Sequence, residues 1–280
     1  MQTVHDLASL RAALRAWRKQ DQRIALVPTM GNLHAGHHAL VRRAQQCAPR
    51  VVVSVFVNPT QFGPNEDYTR YPRTLRQDQA GLAALDCDLL FAPAVEVMYP
   101  YGPEQALSIH VPEITDVLEG AHRPGHFDGV ATVVAKLFAM VQPDYAVFGE
   151  KDWQQLQVVR RMVADLHLPV EVIAVETVRE ADGLALSSRN RYLAADERAR
   201  APALHRALRH AAGRLAAGAE AAAVLAEATA SLTAEGFAVD YFALVDGPSL
   251  RAIPALAPGA RLIAAARLGP VRLLDNLAAG

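Results

Sequence analysis

The segment RVVVSVFVN, residues 50–58, restricts the fold more than any other stretch. It is β-branched and apolar almost throughout, and is bounded by Pro49 and by Asn58-Pro59. A strand that alternates apolar and polar residues can leave one face in water. This one is apolar on both faces, so both must be covered, as in a parallel sheet. IALVPTM (24–30), DLLFAP (88–93), DYAVFGE (144–150) and VEVIAVETV (170–178) read as further strands. Residues 36–47, 74–85, 127–141 and 152–166 carry helical spacing between them. Residues 3–19 read as an amphipathic helix with Val4, Leu7, Leu10, Leu14 and Trp17 on one side. Strands alternating with helices predict an α/β domain with a doubly wound parallel sheet.

The character changes after Val178. READGLALSSRNRYL (179–193) is polar and turn-rich, and two Ala-rich helices follow at 195–217 and 219–235, broken near Gly218. VDYFALVD and RLIAAARL then read as a small antiparallel set of strands. The expected organisation is a first domain over 1–177, a hinge at about 177–184 and a smaller α+β domain over 184–280. The net charge is −1 and the pI about 6.8, so no basic field exists to hold a polynucleotide. Cys47 and Cys87 stand in no metal or redox spacing, which excludes a disulfide framework and suits a reducing compartment. The N-terminal stretch lacks the apolar core of a signal peptide, and no run approaches the ~18 apolar residues of a membrane helix. A cytoplasmic protein without membrane contact is expected.

PTMGNLHAGHHAL (28–40) puts three histidines where the first of these strands becomes a helix. Ligands of a parallel sheet sit outside the carboxyl ends of its strands. The segments 28–38, 58–63 and 149–155 all fall there. Gly36 allows close approach to backbone, and the helix start offers free N–H groups and a positive dipole end. His34 and His37, three apart, face the same side of that turn and can donate hydrogen bonds or, when protonated, add charge. The turn reads as a polyphosphate cradle. A metal pair would lack a third ligand at a suitable spacing.

HAGH after a strand resembles the HIGH signature of the nucleotidyltransferase superfamily, which includes class I aminoacyl-tRNA synthetases. VVVSVFVNPTQFGPNEDYTRYPRTL, RPGHFDGVATVVAKLF, VFGEKDWQQLQVVRRMVADL, LSSRNRYL and the closing RLLDNL together resemble the pantothenate synthetase (pantoate–β-alanine ligase) family, from about residue 1 to 277. The resemblance implies a Rossmann-like, doubly wound parallel sheet with a smaller C-terminal α+β domain acting as a lid. It implies ATP-dependent condensation of (R)-pantoate with β-alanine through a pantoyl adenylate, releasing AMP and pyrophosphate. ATP is then a substrate, Mg²⁺ accompanies it, and a homodimer is expected, for which the apolar 50–62 region is one possible contact.

The same resemblance assigns catalytic roles to His34, His37, Lys151 and Arg189. It assigns ATP contacts also to Met30, Gly31, Asn32, Leu33, Ala35 and Gly36, to Gly149, Glu150 and Asp152, and to Val178, Leu186, Ser187 and Ser188. Gln61 would hold pantoate and β-alanine, and Gln155 pantoate. The chemistry suits the residue types. SSRN (187–190) resembles a counterpart of the synthetase KMSKS loop, with two hydroxyl donors and a forked cation for a leaving pyrophosphate. Only three lysines occur against 25 arginines, which singles out Lys151 as a compact charge for phosphates. Asp152 could accept from a ribose hydroxyl, but a helix N-cap is its plainer reading. Lys136 reads as structural or surface. Met30, Phe62, Val133 and Val134 could form an apolar wall for pantoate's gem-dimethyl group, with core packing an equal reading for the valines. Arg123 and His126, in RPGHF, match the family without an assigned step. The Mg²⁺ ligands are not identified, although Asp78 lies in a suitable segment. Ala35, where the family often carries an acid, and His38 depart from its pattern. The rivals are a transferase that keeps the nucleotide on its product and a non-catalytic nucleotide- or RNA-binding relative.

Overall fold

The computed structural model describes residues 1–64 and 66–280. The strands β1 (Gln2–Val4), β2 (Ile24–Thr29), β3 (Arg50–Val55), β4 (Leu89–Phe91), β5 (Tyr145–Gly149) and β6 (Glu171–Val175) form one sheet. All its pairings are parallel, in the spatial order β1-β4-β3-β2-β5-β6. The helices α1 (Leu7–Arg18), α2 (Ala35–Cys47) and α3 (Leu75–Ala83) flank it. So do the one-turn helices α4 (Val95–Met98) and α5 (Glu119–His122), and then α6 (His126–Val141) and α7 (Trp153–Asp165). Alternate residues of the central strands serve different layers. Ile24 and Leu26 of β2 and Val52 of β3 pack with α1, α6 and α7; Ala25, Val27, Val51 and Val53 pack with α2 and α3. The two-sided apolarity of residues 50–55 is thereby explained.

Some elements differ from the sequence reading. Val4 belongs to a strand, not to the first helix: it pairs with Phe91, and Asp6 starts α1 by accepting from the Ser9 N–H at 2.8 Å. β3 stops at Val55. Beyond it, Asn58 and Pro59 open a 3₁₀ turn over Pro59–Gln61. The expected helix over 195–217 is two helices, α8 (Ala195–Arg200) and α9 (Ala203–Ala216), interrupted at Pro202. After α10 (Ala221–Ala234) come β7 (Ala238–Asp246), β8 (Ala260–Leu268) and a strand that had not been singled out, β9 (Val271–Ala278). These three form an antiparallel sheet. One face packs on α9 and α10; the other presents Val245 and Ile263 to the larger core.

The approach of α6 to the 59–61 turn is unusually close. A Cβ at Gly129 would lie 2.5 Å from the Thr60 carbonyl oxygen and 2.7 Å from the Gln61 nitrogen. Alanine is the better helix former by about 1 kcal/mol, yet here its methyl would meet backbone that cannot rotate away. Gly129→Ala is therefore expected to destabilise the protein by roughly 1–3 kcal/mol in urea denaturation. A midpoint unchanged or raised, as propensity alone dictates, would show that the contact is dispensable.

Candidate active site

β2 and β5 are neighbours, and the chain turns from β2 toward β3 but from β5 toward β6, on opposite sides. Their carboxyl ends frame the crevice that such a reversal leaves. A cavity of about 290 Å³ opens there. Met30, His34, Gly36 and His37 line it from the β2 side, Gly149, Lys151, Asp152 and Gln155 from the β5 side. Gln61 and Phe62 enter from the loop after β3, and Val178, Leu186, Ser187, Ser188 and Arg189 from the segment after β6. Gly31, Asn32, Leu33, Ala35 and Glu150 do not line it.

Two histidines cap α2 reciprocally. The Gly36 N–H donates to His34 Nδ1 at 3.1 Å, and the His34 N–H donates to His37 Nδ1 at 3.3 Å. A nitrogen that accepts from an amide carries no hydrogen, so each neutral ring bears its proton on Nε2. Burial, then repulsion from Lys151 and His38, pushes His34 down to about 4; burial and His34 push His37 down to about 3. Of the two roles the residue types allow, protonated charge is therefore not the one held by the free protein near neutrality. The pair offers neutral N–H donors instead. His38 does not join them: it lies against α3, where a Cβ on Gly81 would come within 3.3 Å of its Nε2.

The turn leading into α2 is held by Asp78. Its carboxylate accepts from the Asn32 N–H at 3.0 Å, the Leu33 N–H at 2.8 Å and the Thr74 hydroxyl at 3.2 Å. Gly31 sits at φ +79° against it, with space for no side chain. Asp78 thus braces the turn through two main-chain amides. Among the described residues, no group of three or more His, Cys, Asp and Glu is placed to hold a metal ion.

Lys151 lies in a 3₁₀ turn over Glu150–Asp152. Asn276 of β9 donates to the carbonyls of both Glu150 and Lys151 at 2.9 Å, and Arg261 of β8 pairs with the Glu150 carboxylate at 3.0 Å. Asp152 occupies the N-cap position of α7 but makes no capping bond; its carboxylate accepts from Lys151 Nζ at 3.3 Å instead. Ser187 caps the turn that carries Arg189, accepting from its N–H at 3.2 Å. The Arg189 guanidinium lies over the Tyr71 ring and pairs with Asp67 at 3.1 Å, while Arg191 donates to Asn32.

At the other end of the cavity, Asn58 Oδ1 accepts from Tyr99 at 2.6 Å and from Thr60 Oγ1 at 3.1 Å. Its Nδ2 must then donate, and it reaches Gln61 Oε1 at 3.1 Å. Gln61 Nε2 is left facing Met30 Sδ at 3.2 Å, a weak acceptor. The amide is held as a donor toward the cavity. Val133 and Val134 line the cavity and also belong to the core. Lys136 lies over the Tyr99 ring, outside the cavity lining.

A sequence profile of the pantoate-beta-alanine ligase family matches residues 2–278. The chain belongs to this family. Pantothenate synthetase of Xanthomonas campestris pv. campestris is 55% identical over 285 residues, covering 99% of each chain. The crystal structure of pantothenate synthetase from Thermus thermophilus superposes with a TM-score of 0.94 at 53% identity, over 100% of this chain and 99% of that one. Pantoate-beta-alanine ligase from Francisella tularensis, complexed with beta-gamma ATP and beta-alanine, superposes at 0.84 with 36% identity, over 99% and 97%. The family joins pantoate to β-alanine as an AMP-forming ligase.

Several residues of this ligase site were not legible beforehand. Asn58 reads as a strand boundary and Tyr99 carries no local signal, yet they orient Gln61. Asp67 and Tyr71 engage Arg189, and Asn276 holds the Lys151 backbone. The protonation of the histidine pair gives a direct check. Their folded-state values lie below 6.5, so the rings favour folding above pH 6.5, and this contribution is lost as pH falls toward 4 and 3. Nitrogen-15 histidine spectra of the free protein at about pH 6 are expected to show both rings neutral with the hydrogen on Nε2. His34→Asn, which keeps an acceptor for the Gly36 N–H, is expected to retain stability within about 0.5 kcal/mol. Charged rings at that pH would overturn the assignment.

Proposed function

We propose that this cavity condenses (R)-pantoate with β-alanine in two steps. The pantoate carboxylate attacks the α-phosphorus of ATP, the bond to the β-phosphate bridging oxygen breaks, and pyrophosphate leaves. The neutral amine of β-alanine then attacks the acyl carbon of pantoyl adenylate; AMP departs with the acyl-oxygen bond pair, and the amine's proton passes to solvent. The ATP and β-alanine held by the Francisella tularensis relative support both reactants. The observation that carries the reading is the division of the cavity. One end gathers the Nε2 donors of His34 and His37, the α2 start, Lys151 and Arg189; the other presents the Gln61 amide beside apolar Met30, Phe62, Val133 and Val134.

The first step sets anion against anion, and those donors offset the repulsion and stabilise the spreading charge. His34, His37 and Lys151 act on the α-phosphate, Ser187, Ser188 and Arg189 on the leaving pyrophosphate. Met30, His34, Gly36, His37, Gly149, Lys151, Asp152, Val178 and Leu186 surround the nucleotide; Gly31, Asn32, Leu33, Ala35 and Glu150, which do not line the cavity, act on it only through the turns they build. Gln61 and Gln155 hold pantoate, and Gln61 also meets β-alanine. Asp67 stands in for phosphate on Arg189 and yields to it. Mg²⁺ enters with the triphosphate as part of the substrate.

The portion over 184–280 is a lid that swings about 177–184 and excludes water from the adenylate. A homodimer in the cytoplasm belongs to the same reading. The 50–55 strand cannot supply its contact, being covered on both faces. No helix of the described residues is long and apolar enough to cross a membrane.

The test is nucleotide release with ATP, Mg²⁺ and pantoate, with and without β-alanine. Pantoate-dependent ATP–pyrophosphate exchange is expected without the amine, and AMP with pantothenate once it is added. Pyrophosphate without AMP would mean that the nucleotide stays on the product. Lys151→Met is expected to lower kcat by about 10²–10³ while the fold persists; a loss below about threefold would remove Lys151 from the chemistry.

A further inference from the structure

Arg123 and His126, in RPGHF, have no step in this mechanism, although both line the cavity. His126 opens α6, and its Nδ1 lies 2.8 Å from the Gln61 carbonyl oxygen. A carbonyl only accepts, so Nδ1 carries the hydrogen and Nε2 is an acceptor. Arg123 Nη1 donates to that Nε2 at 3.1 Å. Both ring nitrogens are therefore used inside the protein. Arg123 is equally committed: Nε and Nη2 meet Glu66 at 2.7 and 2.6 Å, Nη1 lies 3.5 Å from Glu119, and Nη2 reaches the Gln61 carbonyl at 3.4 Å.

We propose that Arg123 and His126 are positioning residues for the acid substrate, which hold the Gln61 carbonyl so that its amide is aimed into the cavity. The inference rests on Gln61 holding pantoate. A general acid or base needs a nitrogen open to substrate, and His126 has none. Burial and then Arg123 push its ring down to about 4, so it stays a neutral donor to the carbonyl. The turn it holds is pinned from two further directions. Gly129 of α6 packs against the Thr60 and Gln61 backbone, and Asn58 grips Gln61 Oε1 while donating to the Gly129 carbonyl at 3.1 Å. Backbone and side chain of Gln61 are thus fixed by separate partners, which leaves the Nε2 direction as the remaining outcome.

Steady-state kinetics of the full-length enzyme with Gln61→Ala, His126→Ala, His126→Asn and His126→Gln test this. His126→Ala is expected to raise KM for pantoate about tenfold, with KM for ATP changed less than about twofold. Asparagine places an N–H where Nδ1–H lies and is expected to restore most of the loss. Glutamine extends its amide toward the Nε2 position and is expected not to. Rescue by glutamine alone, or a fall in kcat at unchanged KM, would assign His126 to the chemistry through Nε2 and overturn the proposal. If Gln61→Ala raises KM for pantoate and His126→Ala does not, the proposal fails by itself. If Gln61→Ala leaves that KM unchanged, the Gln61 assignment fails and takes the proposal with it. Should His126→Ala not fold, the asparagine and glutamine variants carry the comparison between them.

Discussion

The pairing of β2 with β5, through Ala25 with Tyr145 and Leu26 with Ala146, is the contact on which the site depends. Parallel strands place their carboxyl ends side by side, and the chain leaves these two ends in opposite directions. No helix can cover the gap between departing connections, so a crevice opens with backbone donors on its rim. HAGH follows one strand and GEKD the other. Residues far apart in the chain, His37 and Gly149 among them, become facing walls because two short strands share a ladder.

Within that crevice, the polar side chains are held largely by main chain. His34 and His37 close the start of α2, Asp78 grips the Asn32 and Leu33 amides, Asn276 grips the Glu150 and Lys151 carbonyls, and His126 grips that of Gln61. This has a chemical consequence. A ring nitrogen that accepts from an amide is barred from carrying a proton, and one that donates to a carbonyl is obliged to. Backbone hydrogen bonds therefore decide the tautomers of His34, His37 and His126, and burial together with neighbouring cationic groups keeps them neutral.

β9 ties the smaller sheet to the site. Asp275 receives Arg179 in a forked pair at 2.6 and 2.9 Å, at the foot of the segment carrying Ser187–Arg189, and the neighbouring Asn276 holds the Lys151 turn. Arg272 meets Glu119 beside the cavity and pairs with Asp240 at 2.6 Å. Ion pairs of such burial repay their desolvation only with good geometry, so their value here is placement more than stability. The closing RLLDNL acquires its meaning from these contacts: one strand references two cavity-lining segments against each other.

The sequence by itself determined the class of fold and most of the cavity's polar edge. Apolarity on both faces of residues 50–55 demands two covering layers, and alternation with helical spacing supplies them, because burial is imposed on each short segment where it stands. HAGH and GEKD were legible as turns at strand ends, and SSRN through its resemblance to a synthetase loop; all three contribute to one cavity lining. The tertiary structure alone decided the rest. The three residues of β1 have no period to read, and Val4 becomes a strand only when Phe91 lies beside it. Asn58 is a strand terminator until Tyr99, 41 residues on, donates to it and turns the Gln61 amide outward. Asp78 shows no tie to the α2 turn until it accepts from the Asn32 amide 46 residues away. The charge of His34 and His37 followed neither from residue type nor from spacing. Proton affinity is set by burial and by partners in space, and the chain specifies those only once it has folded.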